Sequence, residues 1–412
     1  MSDSIDLSLT GIPTGPHRLE YYAVDRTNNI SSGSLSFLIE SLRTKEYKGI
    51  NIHIRELTRR QNGNFAFRPT QPSINDILTE IKEMGLNAIR LNTFWETHRY
   101  YKSVNNEVEY INKIKEVAET ADRLGIAVIY NVMHQWNISS WIIPSSGSGR
   151  GAGFPYECLQ ALNIPQGARF NTPLVAGNIE TTPYNIFWKN FVYNYQCTID
   201  GVTKGIWEHS WEDHFKTIVE ITKDHPSTSA YQIINEPLYI DNGTIEIIEK
   251  LGDYYKYIAD KIRSLTYKRI MFSEYIRPSV SDWGKYGSRD GALVALIPNV
   301  SNIAFTYHVY ANQGFTDMYK TKANNIERVM SNKGIPIVIT EFNNDITAGE
   351  MTEQGMINYL QEFKARGYGW FYYTYDPNYH SSIKDVDYND RWNSAGTMTF
   401  KQMLINALNY YR

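Results

Sequence analysis

Two glutamates stand at comparable points of the chain. Tyr231-Gln232-Ile233-Ile234-Asn235-Glu236-Pro237 puts Glu236 just past an apolar run, and Ile337-Val338-Ile339-Thr340-Glu341-Phe342 does the same for Glu341. A carboxylate at the end of a buried strand is costly unless it is paired or put to use. One such glutamate reads as well as a cap or a salt-bridge partner. Two at equivalent points weaken that reading. Hydrolysis of a glycosidic bond needs two carboxyl groups, one to donate a proton to the leaving oxygen and one to attack the anomeric carbon or activate water.

Such a pair needs a frame that carries separate strand ends to one mouth. From Lys48 onward, short apolar strands alternate with helical stretches, the pattern of an α/β fold with a parallel sheet. Eight strands are predicted: Gly49–Ile54, Leu86–Leu91, Ala127–Val132, Tyr231–Ile234, Arg269–Ser273, Ile303–His308, Pro336–Glu341 and Tyr368–Tyr373. Helices are predicted at Ile74–Met84, with Ser73 as N-cap, and at Asn112–Leu124, Trp211–Lys223, Thr244–Ser264, Tyr319–Ser331 and Thr352–Ala365. Eight such units predict an α/β fold, a (β/α)8 TIM barrel over residues 46–412. A doubly wound open sheet competes, but the chain has no Gly-rich phosphate turn. The third connection, about 135–206, runs roughly 70 residues before the next predicted helix and contains Ser145-Ser146-Gly147-Ser148-Gly149-Arg150-Gly151. It is read as a wall or lid of the cleft, since loops of that length are usually functional or disordered.

Other strand ends also carry reactive side chains. Arg90 lies in Gly85-Leu86-Asn87-Ala88-Ile89-Arg90-Leu91, and His134 ends Val128-Ile129-Tyr130-Asn131-Val132-Met133-His134. Asn235 precedes Glu236, and Tyr307-His308-Val309-Tyr310 closes the sixth strand. Asn-Glu-Pro at a fourth strand end with a lone Glu at the seventh resembles clan A glycoside hydrolases. The wider pattern resembles glycoside hydrolase family 5, the cellulase family, from about Gly49 to Tyr375, with the motifs in order. The resemblance implies a retaining mechanism with Glu236 as acid/base and Glu341 as nucleophile. It implies supporting or substrate-binding roles for Arg90, His134, Asn235, His308 and Tyr310. Retention in turn predicts carboxyl groups about 5–5.5 Å apart.

The sequence departs from that family in two places. The eighth strand usually ends in a Trp that floors the central sugar subsite. Here Gly369-Trp370-Phe371-Tyr372-Tyr373-Thr374-Tyr375 offers Tyr373, with Trp370 three residues earlier. The family's acidic residue two before the third-strand His is Val132 here. Both changes indicate a divergent member.

Further candidates surround the predicted mouth. Trp95, Glu96 and His98 follow the second strand, and Trp136 and Trp141 open the long loop; any of them is placed to meet a sugar. Glu274 and Asp376 follow the fifth and eighth strands and read more simply as solvated or salt-bridged.

Composition bounds the rest. The 412 residues suit one large domain plus an appendage. Residues 1–45 form that appendage, a predicted β-hairpin from His17–Val24 and Ser34–Ile39 around the turn Asp25-Arg26-Thr27-Asn28-Asn29. It is either a hairpin packed on the barrel or the remnant of an immunoglobulin-like module. A net charge of -3 gives no case for nucleic acid, and no apolar run reaches the roughly 18 residues of a membrane span. The 31 Tyr, 16 Phe and 9 Trp have flat faces suited to stacking on sugar rings, although individually most read as packing. Cys158 and Cys197 are compatible with a disulfide or with two free thiols, and nothing resembles a zinc site. No metal or cofactor is expected. Met1 to Thr10 lack the basic and apolar regions of a signal peptide. The lack of a signal peptide fits either a protein that stays inside the cell or an extracellular enzyme whose native chain is longer, with room for further modules; the extracellular reading is the expectation.

The substrate expected is a β-1,4-linked polysaccharide, with cellulose first and an endo-β-1,4-glucanase the leading reading. β-Mannan, xylan, a β-1,3-glucan or a glycosylated lipid are the alternatives within the clan. A non-catalytic carbohydrate-binding barrel competes from another class, but both glutamates are present. A metal-dependent hydrolase would need a His-x-His or similar cluster at the strand ends, and the sequence has none.

Overall fold

The computed structural model describes residues 15–24, 30–39, 46–54, 60–61, 64–65, 72–133, 153–165, 168, 172–237, 245–274, 290–311, 314, 316–344, 349–375, 381–385 and 388–411. Eight parallel strands close into a barrel: Lys48–His53, Ala88–Asn92, Ala127–Asn131, Thr228–Gln232, Arg269–Ser273, Ile303–Tyr310, Ile337–Asn343 and Gly369–Tyr372. Each pairs with the next in chain order, and the eighth returns to the first through Trp370 opposite Lys48 and Tyr372 opposite Ile50. This is a (β/α)8 barrel. Among the described residues no helix is long and apolar enough to cross a membrane.

The strands form because their apolar residues are buried on both faces. Ile89 and Leu91, or Val128 and Tyr130, face the surrounding helices. Ala88, Ala127, Ile129, Ala230, Met271, Ala304, Val338 and Phe371 fill the lower interior with Tyr47. Small residues from several strands leave room there for Phe371. Gly49 is essential to that fit, since a Cβ on it would lie 2.3 Å from two ring carbons of Phe371.

The outer helices follow the sequence signals. Ser73 caps Ile74–Glu83 in a reciprocal capping box with Asp76. Ile74, Ile77, Leu78 and Ile81 are buried, at the spacing of one helix face. Helix Glu107–Leu124 stops at Gly125, whose φ of 67° suits glycine at that cap. The stretch predicted as one helix at Trp211–Lys223 begins earlier, at Ile206, and carries a π-helical turn over Trp211–Phe215. Helices Trp95–Ser103, Asp290–Ala295 and Phe400–Tyr411 were not anticipated.

The third connection departs from expectation. Its described part is folded, with helices Tyr156–Gln160 and Pro183–Phe191 and an antiparallel ribbon, Gln196–Ile199 with Val202–Gly205. Phe154, Phe187, Trp188 and Phe191 pack on one another in a small core, with Phe154 and Phe187 centroids 4.2 Å apart. Phe191 also packs on Tyr254 of helix Ile245–Arg263. The aromatics of this segment therefore hold the insertion to the barrel's flank. Cys158 and Cys197 are buried free thiols there, with sulfurs 3.1 Å apart. The N-terminal strands Gly15–Val24 and Ile30–Ile39 form an antiparallel pair from Gly15 opposite Ile39 to Val24 opposite Ile30; the turn between them lies outside the described residues.

Candidate active site

Above the apolar layer, the inward positions of the strands become polar. Asn51, Arg90, Asn92, Asn131 and Gln232 are all fully buried. They satisfy one another: Asn131 Nδ2 donates to Asn92 Oδ1 at 2.8 Å, and Asn92 Nδ2 to Asn51 Oδ1 at 3.2 Å. Asn51 Nδ2 donates to the carbonyls of Thr340 and Tyr372. The layer is a rigid polar floor at the C-terminal end of the barrel, where strand ends meet.

Arg90 is its centre. Nε donates to Gln232 Oε1 at 2.7 Å, Nη1 to Asn51 Oδ1 and Glu341 Oε1, each at 2.7 Å, and Nη2 to Asn235 Oδ1 at 2.5 Å. Four side chains from the first, fourth and seventh strand ends thus share one guanidinium. Its planar fork fixes their mutual geometry in a way a lysine would not.

Glu341 is turned into the mouth by an irregularity. Ile339 pairs with Trp370 and Phe342 with Tyr372, so Thr340 and Glu341 together stand opposite the single residue Phe371. Two residues against one is a β-bulge, a device that re-aims a side chain. Glu341 Oε2 then accepts from Tyr310 Oη at 2.6 Å, while Oε1 holds Arg90.

Glu236 lies past the fourth strand at φ 44°, in the left-handed region that non-glycine residues seldom occupy. Such backbone is typical of sites whose surroundings over-determine it. Its Oε1 lies 2.7 Å from His308 Nδ1. Burial pushes the Glu236 carboxyl up to about 7, against the pull of the Arg90 and Lys322 charges. Burial likewise drives His308 down to about 3 despite the nearby Glu341, so its imidazole is neutral at pH 7. Asn235 accepts from Arg90 through Oδ1, and among the described residues nothing accepts from its buried Nδ2. Tyr373, half-buried, lies at the rim with Oη 3.2 Å from His53 Nε2 and its ring edge-on to Tyr310.

Thus Arg90, Asn235, Glu236, His308, Tyr310, Glu341 and Tyr373 converge. Trp370 does not. It is fully buried on the outward face of the eighth strand, edge-on to Phe342, because strand alternation turns it away from Phe371 and the mouth. Trp95, Glu96 and His98 are also withdrawn from any sugar. The unanticipated helix at Trp95–Ser103 turns them into packing: Trp95 Nε1 donates to Asp213, Glu96 Oε2 accepts from Gly153 N, and His98 sits between His214 and Glu107. Glu274 is ion-paired with Lys322. His134, Trp136, Trp141 and Asp376 lie outside the described residues. Asn51, His53 and Gln232 were overlooked; their signal is a polar residue at an inward position of an otherwise apolar strand.

One oxygen of Glu236, one ring nitrogen of His308 and one oxygen of Glu341 all lie within 4.8 Å of one another, a spacing a cation could bridge. The donor set argues for another use. Both Glu341 oxygens already accept from Arg90 and Tyr310, and the guanidinium supplies the positive charge a metal would bring.

The family model for Cellulase (glycosyl hydrolase family 5) matches residues 45–161 and 181–379. The chain belongs to glycosyl hydrolase family 5. The unmatched residues between those two stretches fall in the folded third connection. An endoglycoceramidase from Cyanea nozakii is 20% identical over 371 residues, covering 82% of this chain and 68% of that protein. One from Hydra vulgaris is 24% identical over 210 residues, covering 47% of this chain and only 38% of its own length. Among solved structures, endo-glycoceramidase II from Rhodococcus sp. as its lactosyl-enzyme intermediate superposes with a TM-score of 0.61 at 17% identity, over 86% of this chain and 77% of that one. The same enzyme with ganglioside GM3 gives 0.59 at 18% identity, over 88% and 78%. At these identities the likeness speaks for the shared barrel.

Proposed function

We propose that this family 5 glycoside hydrolase is a retaining β-glycosidase, with Glu236 as acid/base and Glu341 as nucleophile. The observation that carries this is the contrast between two carboxyl groups with oxygens within 4.8 Å. One is lifted to about 7 by burial, and the other is salt-bridged to Arg90. Two close carboxyls in opposed environments are the arrangement for separate acid and nucleophile roles. The spacing suits the narrow gap of retaining enzymes, about 5–5.5 Å, rather than one that admits a water between the groups.

The steps follow from the contacts. Glu236 gives its proton to the leaving oxygen while a Glu341 oxygen attacks the anomeric carbon and forms a glycosyl ester. That ester carries no charge, so the carboxylate left on Glu236 can take a proton from the incoming water. With its N–H on Nδ1, neutral His308 donates to Glu236 Oε1 and leaves Oε2 to carry the transferred proton. Asn235 Nδ2 is the donor for the sugar 2-hydroxyl. Tyr373 offers a ring at the position where the family usually places Trp.

For the substrate, the relatives named endoglycoceramidases support a β-linked glycan carried on a lipid. The family's description as cellulase supports a β-1,4-glucan as the second reading. Wild type and Glu341→Gln are assayed side by side on a glycosylceramide in detergent and on a soluble cellulose derivative. Oligosaccharide release from the lipid by wild type alone is the expected result. Release from cellulose alone replaces the lipid reading and keeps the chemistry. Hydrolysis by Glu341→Gln at the wild-type rate removes the mechanism.

A further inference from the structure

Glu274 follows the fifth strand and is buried. Its backbone N donates to Thr306 O at 3.0 Å, which lays it along the sixth strand just before His308. Lys322 reaches in from helix Asp317–Ser331 and donates to Glu274 Oε1 at 2.6 Å, with its Nζ 5.1 Å from the ring centre of Tyr307. Both side chains are largely buried, 9 and 7% exposed. A buried ion pair is weak evidence for stability, because desolvation offsets its attraction. This one occupies the flank of His308, whose ring bonds Glu236.

We infer that Glu274 and Lys322 are a positioning pair for the acid/base step, setting how tightly Glu236 holds its proton through His308 and through space. The inference rests on the reading of Glu236 as the acid/base.

The two members act with opposite sign. The Lys322 charge favours ionised Glu236, and the Glu274 charge opposes it. Burial is the largest influence on Glu236, and the pair's two charges act on it in opposite directions. The other groups facing Glu236 are His308, Glu341 and Arg90. Those facing the pair are Tyr255 and Tyr307, whose phenols burial raises well above their ordinary value, and the ring of Tyr319. Removing one member leaves an uncompensated charge near the acid/base, and removing both restores neutrality.

The test is the pH dependence of kcat/KM for wild type, Glu274→Gln, Lys322→Met and the double variant. Glu274→Gln is expected to move the basic limb to lower pH and Lys322→Met to higher pH, each by on the order of one unit. The double variant should return close to wild type, with KM little changed throughout. Singles that both keep the wild-type limb, or that move it in the same direction, overturn the inference. The Glu236 carboxyl is titrated in parallel by carbon NMR, its signal assigned by loss in Glu236→Gln. That readout needs no turnover. An inactive wild type would therefore count against the proposed function, while unmoved titration in Glu274→Gln would count against the pair.

Discussion

Arg90 Nη1 lies 2.7 Å from Glu341 Oε1, and the two side chains are 0 and 4% exposed. Burying two charges is expensive, and the attraction between them repays the cost only when the remaining donors are satisfied. Arg90 meets that condition through Asn51, Gln232 and Asn235. The guanidinium therefore does two jobs with one set of bonds: it compensates Glu341 and holds Asn235 beside Glu236.

Activity should fall on the alkaline side near neutrality. Burial holds Glu236 at about 7, and the proposed mechanism needs its acid form to protonate the leaving group. In the free enzyme, kcat/KM should lose about tenfold per pH unit above that point. A pH profile whose basic limb lies at ordinary carboxylate values would count against Glu236 as the acid.

Glu236→Gln should lose catalysis and gain stability. The folded protein binds the Glu236 proton more tightly than the unfolded chain, whose carboxyl titrates near 4.5. Stability is therefore lost as pH rises from about 4.5 through about 7. The neutral amide escapes that cost, by up to about 3 kcal/mol at pH 8 for a shift of this size. Thermal unfolding of both proteins at pH 4 and pH 8 checks it. A variant no more stable than wild type at pH 8 would contradict the raised value.

Tyr310→Phe should slow turnover without removing it. The lost bond to Glu341 Oε2 is 2.6 Å long. Hydrogen bonds to charged groups contribute about 1.5–3 kcal/mol, which corresponds to roughly ten- to hundredfold in kcat/KM. A rate within twofold of wild type would remove Tyr310 from the site.

Gly49→Ala should destabilise the barrel, with Glu236 and Glu341 untouched. Its new methyl would lie 2.3 Å from two Phe371 ring carbons and 3.0 Å from Ala88 O. Overpacking of that kind costs about 1–3 kcal/mol. A lowered melting temperature, partly recovered in Gly49→Ala/Phe371→Leu, is the expected pattern.

The eight strands were legible because each is a short apolar run bounded by turn or cap residues, and burial on both faces makes such runs unambiguous. Glu236, Glu341, Arg90, His308 and Tyr310 stand out as candidates in the sequence because they lie at or near the ends of those runs. The sequence leaves Tyr373 and Trp370 both open as the floor of the central subsite, because the choice depends on which face of the strand looks inward, and a run apolar on both faces hides that. Trp95, Glu96 and His98 were misplaced because Trp95-Glu96-Thr97-His98-Arg99-Tyr100 has no clear apolar period, so its helix went unseen. The folded third connection reads as a loop because its short helices and ribbon show little apolar periodicity, and its small core of Phe154, Phe187, Trp188 and Phe191 is assembled from residues scattered along the segment. Asn51 and Gln232 could have been read: each stands alone among apolar neighbours, and a lone buried amide needs a partner.

The bulge at Thr340 and Glu341 gives the seventh strand two reading frames. Before it, inward residues keep the parity of the apolar interior; after it, they keep the parity of the reactive mouth. A deletion of one residue here would leave an apolar run that still looks like a sound barrel strand, and would present its carboxylate to the helices instead of to Arg90. The length of this strand is thus as much a part of the reactive machinery as the glutamate it carries.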